Sequence, residues 1–198
     1  DPGGNQYRRS PGGGGMLVGL TGRNASGKST FVEWFSAKGL RSVSCSDSIR
    51  AWLAEQGAEP TREALIEGGR ELRRQGGGGV LAEMLLEILS GEDAVVDSIR
   101  TPAEVEALRE RGDFFLIEVR ANQEARWERM NERGRSGDPL DKEVFLRQEE
   151  AEASSKDESG QALDATAEMA DVTIDNDGTL EELERKLEEV WSDLSRTQ

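Results

Sequence analysis

The chain has 198 residues, with 40 Asp+Glu against 25 Lys+Arg, a formal net charge of −15, one Cys and no His. That length suits one domain with a single core. Without His and with only Cys45, Ser-His-Asp and Cys-His nucleophiles, His/Cys zinc sites and an intrachain disulfide are excluded, and Cys45 implies nothing about an oxidising compartment.

Residues 1–15 contain eight Gly or Pro and read as a disordered leader, a tag or a misplaced start, leaving 16–198 as the folded domain. Met16–Leu20 is a short apolar strand followed by a Gly-rich turn, and a helix runs from Lys28 to Lys38 until Gly39 ends it. Arg41–Ser46 reads as a second strand. Helical patterns follow at Ser48–Gln56, Thr61–Arg74 and Val80–Leu89, before a third strand at Ala94–Asp97. Thr101-Pro102-Ala103-Glu104 is a capping box with Pro at the first helical position.

Phe114–Val119 is a fourth strand and Asn122–Arg133 a helix, followed by a polar loop over Arg133–Leu140. Asp141–Ala153 is helical, Ser154–Gly160 is loop, Gln161–Met169 is a short helix and Asp171–Asp175 a fifth strand. The last helix starts at a second capping box, Thr179 to Glu182, with a buried stripe of Leu180, Leu183, Leu187, Val190, Trp191 and Leu194. Strands alternating with helices mean parallel pairing and an α/β sandwich.

No apolar run approaches the roughly 20 residues of a spanning helix, and no signal-peptide pattern precedes the first strand, so the expectation is a cytoplasmic chain off the membrane. The acid excess argues against a broad nucleic-acid or anionic-membrane surface. A local anion site stays open, because salt confines fields to about 8–10 Å. Of the 25 cations 20 are Arg, which suits either a high-salt solvent or a GC-rich genome.

Gly22-Arg23-Asn24-Ala25-Ser26-Gly27-Lys28-Ser29, then Thr30, fits G-x-x-x-x-G-K-[ST] between an apolar strand and a helix start. Such a loop turns successive N–H groups toward phosphate oxygens, helped by the helix dipole. Lys28 is expected to reach the β- and γ-phosphates of ATP, and Ser29 to ligate Mg²⁺. A Gly-rich turn that cradles nothing is the plain alternative.

Ligands of open parallel sheets bind beyond the carboxyl ends of the strands. Asp47-Ser48-Ile49-Arg50 and Asp97-Ser98-Ile99-Arg100 repeat one tetrapeptide at two such ends. Asp97 is the better Mg²⁺ carboxylate, and Asp47 a group to orient or deprotonate an acceptor. Both could instead be helix caps. Arg126, Arg129 and Arg133 fall within roughly 60° on one helix face, with Glu124, Glu128 and Glu132 opposite. Unpaired arginines so clustered suit an anion, so Arg126, Arg133 and Arg135 are expected to close over the transferring group as part of a 133–141 lid. A solvated basic face is the alternative. Arg70, Arg73 and Arg74, ahead of Gly76–Gly79, could bind an acceptor phosphate within a 48–90 acceptor-side region, with the glycines as hinge. A plain surface helix fits equally.

Together these motifs resemble the P-loop kinase group of nucleoside monophosphate kinases and dephospho-CoA kinase. Val18-Gly19-Leu20-Thr21-Gly22 with Ser26-Gly27-Lys28-Ser29-Thr30, and Ala170 through Glu182, are similar to dephospho-CoA kinases. That resemblance implies a three-layer α/β/α sandwich with a five-stranded parallel sheet of order 2-3-1-4-5. It also implies Asn176, Asp177 and Gly178 against the ATP base and an acceptor-side Asp47. The His-Pro pair of dephospho-CoA kinase is missing here. Val96–Arg100 with Pro102–Glu106, then Arg133–Arg135 and Gly137–Pro139, instead resemble archaeal nucleotide-kinase-like proteins and the kinase-like domains of deoxycytidylate deaminases, whose zinc ligands this sequence lacks.

The leading expectation is an ATP- and Mg²⁺-dependent kinase acting on a (deoxy)nucleoside monophosphate. Arg50, Arg73, Arg100, Asp47 and Asp97 would face the acceptor. Dephospho-CoA kinase, a regulatory nucleotide-binding module and a P-loop ATPase switch are the alternatives.

Overall fold

A computed structural model describes residues 15–154 and 162–196. The expectations for residues 1–14, for the loop over 155–160 and for a helix start at Gln161 lie outside the described residues. Five parallel strands, β1 (Leu17–Thr21), β2 (Arg41–Ser44), β3 (Ala94–Asp97), β4 (Phe114–Arg120) and β5 (Val172–Asp175), form one sheet of order β2-β3-β1-β4-β5. Leu17 pairs with Ala94 on one side and Phe114 on the other, so β1 lies at the centre. All five of its residues are buried, as a parallel strand covered on both faces requires.

The two-residue period of the strands sorts the core into two layers. On one face Val18, Leu20, Val95 and Ile117 meet Phe31 and Phe35 of α1 (Lys28–Ala37) and Leu183 and Leu187 of α9 (Leu180–Arg196). On the other, Leu17, Val96 and Leu116 meet α2 (Ser46–Glu55), α3 (Arg62–Gly76), α4 (Val80–Leu89) and α5 (Pro102–Arg109). The remaining helices are α6 (Gln123–Arg133), α7 (Lys142–Ser154) and α8 (Leu163–Glu168). Trp127 of α6 and Phe145 of α7 pack with ring centroids 5.4 Å apart.

Local signals read in the sequence recur in the coordinates. Thr101 and Glu104 form the reciprocal capping box at α5, and Thr179 Oγ1 accepts from the Glu182 N–H at 3.2 Å. Leu180 departs from the expected stripe and is 59 % exposed, because it begins the helix before the chain turns onto the sheet. Within Gly76–Gly79, Gly79 is packed, since a Cβ there would stand 2.9 Å from the Ala103 carbonyl oxygen, whereas Gly77, at φ +90°, has nothing within 4 Å of that position.

Candidate active site

The Gly22–Thr30 loop leaves the centre of the sheet and enters α1. Gly22 has φ +154°, and a Cβ there would strike the Val119 carbonyl; Gly27 has φ +101°, and a Cβ there would strike the Asn176 amide. Both positions therefore need glycine. No side chain caps α1, and a helix start of that kind can offer backbone N–H groups to an anion. Lys28 Nζ donates to the carbonyls of Gly22 and Arg23, each at 2.9 Å, and so lies within the loop's curve. Burial pulls the Lys28 ammonium down from 10.5 to about 8; Asp97 opposes this, while Arg100, Arg126 and Arg133 add to it. Asn24 and Ser29 are exposed, and Ala25 takes a left-handed turn at φ +62°. The Thr30 N–H donates to the Gly27 carbonyl at 3.1 Å.

Two side chains latch the loop from behind. Arg129 of α6 donates to the carbonyls of Ala25 and Ser26 at 3.3 Å and to that of Asn176 at 2.8 Å. Asn176 Nδ2 donates to the Ser26 carbonyl at 2.9 Å. Ser26 is fully buried, and its hydroxyl finds no partner among the described residues.

Two clefts are present, the first of them lined in part by this loop. One, of about 330 Å³, is bounded by Gly22, Arg23 and Ser26, by the Glu118–Asn122 end of β4, by α8 and by Asp175 and Asp177. The other, of about 460 Å³, lies between α2, α3 and the segment after β3. Its charged lining is Arg70, Arg73, Arg100 and Glu104, and Ile49, Leu65 and Ile66 make an apolar wall. Glu104 Oε1 is spent on the N–H groups of Arg100 and Thr101 and the Thr101 hydroxyl. Among the described residues, the guanidinium groups of Arg70, Arg73 and Arg100 have no ion pair or hydrogen bond. Arg74 turns away to Glu71.

A model of the AAA domain family matches residues 18–154. The UPF0200 protein of Methanothrix thermoacetophila is 35% identical over 183 residues, 91% of this chain and 99% of that protein. The chain belongs to the UPF0200 family. Among solved structures, TT1252 from Thermus thermophilus is 24% identical with a TM-score of 0.59, over 91% of this chain and 98% of that one. Shikimate kinase from Aquifex aeolicus is 15% identical with a TM-score of 0.54, over 92% and 100%. At such identities the likeness shows the fold alone, and that fold is the P-loop kinase sandwich.

The UPF0200 geometry revises several expectations read from the sequence. Strand β2 stops at Ser44, so Asp47 sits in the first turn of α2 rather than at a strand end. There Asp47 accepts from the Ser44 N–H at 2.8 Å and pairs with Arg50 at 2.9 Å, and neither residue lines the cleft of about 460 Å³. Asp97 does end β3, near enough to Lys28 to be felt electrostatically, with Oδ1 accepting the Ser98 N–H at 2.7 Å.

The arginine face of α6 is not unpaired, because carboxylates reach it from other elements. Arg126 is buried against Glu149 of α7, which also takes Arg23 at 3.4 Å; Arg126 is thus a fixed strut rather than a mobile closing arm. Arg133 grips Asp138 with Nε at 3.0 Å and Nη2 at 3.1 Å, which holds the Asp138 carboxyl below its usual range. Arg135 contributes its backbone N–H to the same carboxylate, and its side chain is exposed.

In the β5–α9 turn, Asn176 is spent on the loop and Asp177 Oδ1 accepts from Asn122 at 2.8 Å. At Gly178 a Cβ would strike the Glu182 carboxylate. The sequence expectations give Arg129 no contact with the loop. Its place on the face of Arg126 and Arg133 was the available signal.

Proposed function

We propose that this UPF0200 protein is an ATP- and Mg²⁺-dependent phosphotransferase whose acceptor is a small nucleotide, a (deoxy)nucleoside monophosphate first of all. One observation carries this reading: three arginines without an ion pair among the described residues face a cleft whose Arg100 also acts electrostatically on the P-loop Lys28. In a chain of net charge −15, guanidinium groups that converge on one cleft without a carboxylate among the described residues suit an anion. The apolar wall of Ile49, Leu65 and Ile66 suits the base of a nucleotide whose phosphate the arginines hold.

In this reading the loop amides and the Lys28 ammonium bind the donor's β- and γ-phosphates, and the smaller cleft beside Asn122 and Asp177 takes the rest of the donor. Ser29 and Asp97 fit Mg²⁺: the hydroxyl is exposed and Asp97 keeps one carboxylate oxygen free of described partners, as suits an ion coordinated mainly by phosphates and water. Bound there, Mg²⁺ would neutralise charge on the terminal phosphates. Arg70, Arg73 and Arg100 hold the acceptor so that its oxygen approaches the γ-phosphorus in line, which is most of what this chemistry asks of a protein.

The test is ADP release with Mg-ATP against nucleoside and deoxynucleoside monophosphates and dephospho-CoA, with Lys28→Ala as control. Turnover on a monophosphate is expected, and Arg73→Ala should raise the acceptor KM while sparing that for ATP. Silence across the panel with ATP still bound would overturn the kinase reading and leave a nucleotide-binding regulatory module.

A further inference from the structure

The two copies of Asp-Ser-Ile-Arg meet opposite fates, and the difference singles out a residue. In the first, Ser48 is fully buried and its hydroxyl donates to the Leu81 carbonyl at 2.7 Å, while Arg50 is paired with Asp47. In the second, the Arg100 guanidinium and the Ser98 hydroxyl have no partner among the described residues, and both residues line the arginine cleft. Ser98 also has φ +62°, a conformation disfavoured for any residue with a Cβ.

The neighbours hold it there. The Asp97 carboxylate accepts the Ser98 N–H at 2.7 Å, the Ile99 N–H donates to the Leu20 carbonyl at 3.4 Å, and Thr21 Oγ1 donates to the Ile99 carbonyl at 2.8 Å. Ile99 is anchored in the core with 1 % exposure. A left-handed position would be served best by glycine, so a serine there presents its hydroxyl at a backbone cost.

We infer that Ser98 is an acceptor-binding and specificity residue: its Oγ donates to an oxygen of the acceptor's anionic group beside the Arg100 guanidinium. The inference rests on the phosphotransferase reading above. The Asp97 link makes Ser98 a direct bridge between the segment facing the donor and the acceptor cleft.

The experiment is steady-state kinetics on the full chain and on Ser98→Gly and Ser98→Ala, using the acceptor that the wild type turns over. A hydrogen bond to a charged group implies about a tenfold or greater rise in acceptor KM in both variants. The ATP KM should be unchanged. Ser98→Gly should melt no lower than wild type, since it relieves the backbone. If that variant fails to fold, Ser98→Ala, which keeps the same backbone preference, carries the comparison. An acceptor KM within about twofold of wild type would overturn the role of Ser98 and leave the kinase reading standing. Absence of acceptor-dependent turnover in the wild type would overturn both.

Discussion

Asn176 Nδ2 lies 2.9 Å from the carbonyl oxygen of Ser26, and that same amide occupies the space a Cβ on Gly27 would need. The turn after the last strand is thereby fastened to the phosphate loop that follows the first. Gly27→Ala should therefore both strain a φ of +101° and expel the Asn176 latch, costing about 1–3 kcal/mol. Asn176→Ala should leave the fold intact and weaken ATP binding. Thermal melts paired with ATP titrations check both, and an unaltered ATP affinity in Asn176→Ala would count against the latch.

Lys28 makes stability and binding depend on pH in opposite directions. Its folded value of about 8 lies below the ordinary 10.5, chiefly because it is buried. Below about 8 both folded and unfolded chains carry the proton, and the desolvation penalty is present in full. Between about 8 and 10.5 the folded chain sheds a proton that the unfolded chain keeps, so stability should rise with pH in that window. Lys28→Met should remove the rise. If the Lys28 ammonium binds ATP as proposed, affinity should fall above pH 8, with proton uptake on binding near that pH. Calorimetry in two buffers of different ionisation enthalpy measures that uptake.

The Arg126–Glu149 pair is almost fully out of water, each side chain being 5 % exposed. Breaking such a pair on one side leaves an uncompensated buried charge. Glu149→Ala should cost about 3–5 kcal/mol, and Arg126→Met with Glu149→Leu should recover much of it. Denaturant unfolding of the single and the double variant beside the wild type checks this. Equal losses in single and double variants would mean that the pair matters through packing alone.

Cys45 sits at the edge of the arginine cleft yet is chemically quiet. Burial pushes its thiol well above the ordinary range, and the Glu104 carboxylate adds to this. Since the thiolate is the nucleophile, a disulfide reagent at pH 8 should modify the native chain far more slowly than the unfolded chain. Comparable rates would mean that the cleft opens to expose it.

Legibility in the sequence followed the range of the interactions. The P-loop, the Thr101 capping box and the end of β3 at Asp97 depend on residues a few positions apart, and all can be read from spacing. Asp47 was misplaced because an Asp after a short strand suits a strand end and a first helical turn alike. The backbone settled the matter by ending β2 at Ser44. The arginine face of α6 was misjudged for a different reason. Its partners are Glu149 and Asp138, and the first of these reaches it only when α7 folds back.

The sequence by itself determined the α/β class and the phosphate loop, since periodicity and fixed motifs are local properties of the chain. Only the tertiary structure decided which arginines find partners among the described residues. Arg126 and Arg133 find carboxylates, and Arg129 is consumed by loop carbonyls. Arg70, Arg73 and Arg100 are left facing a cleft. Whether a charge is paired depends on which distant residues share its few ångströms of low-dielectric space, and packing sets that distance where position along the chain does not.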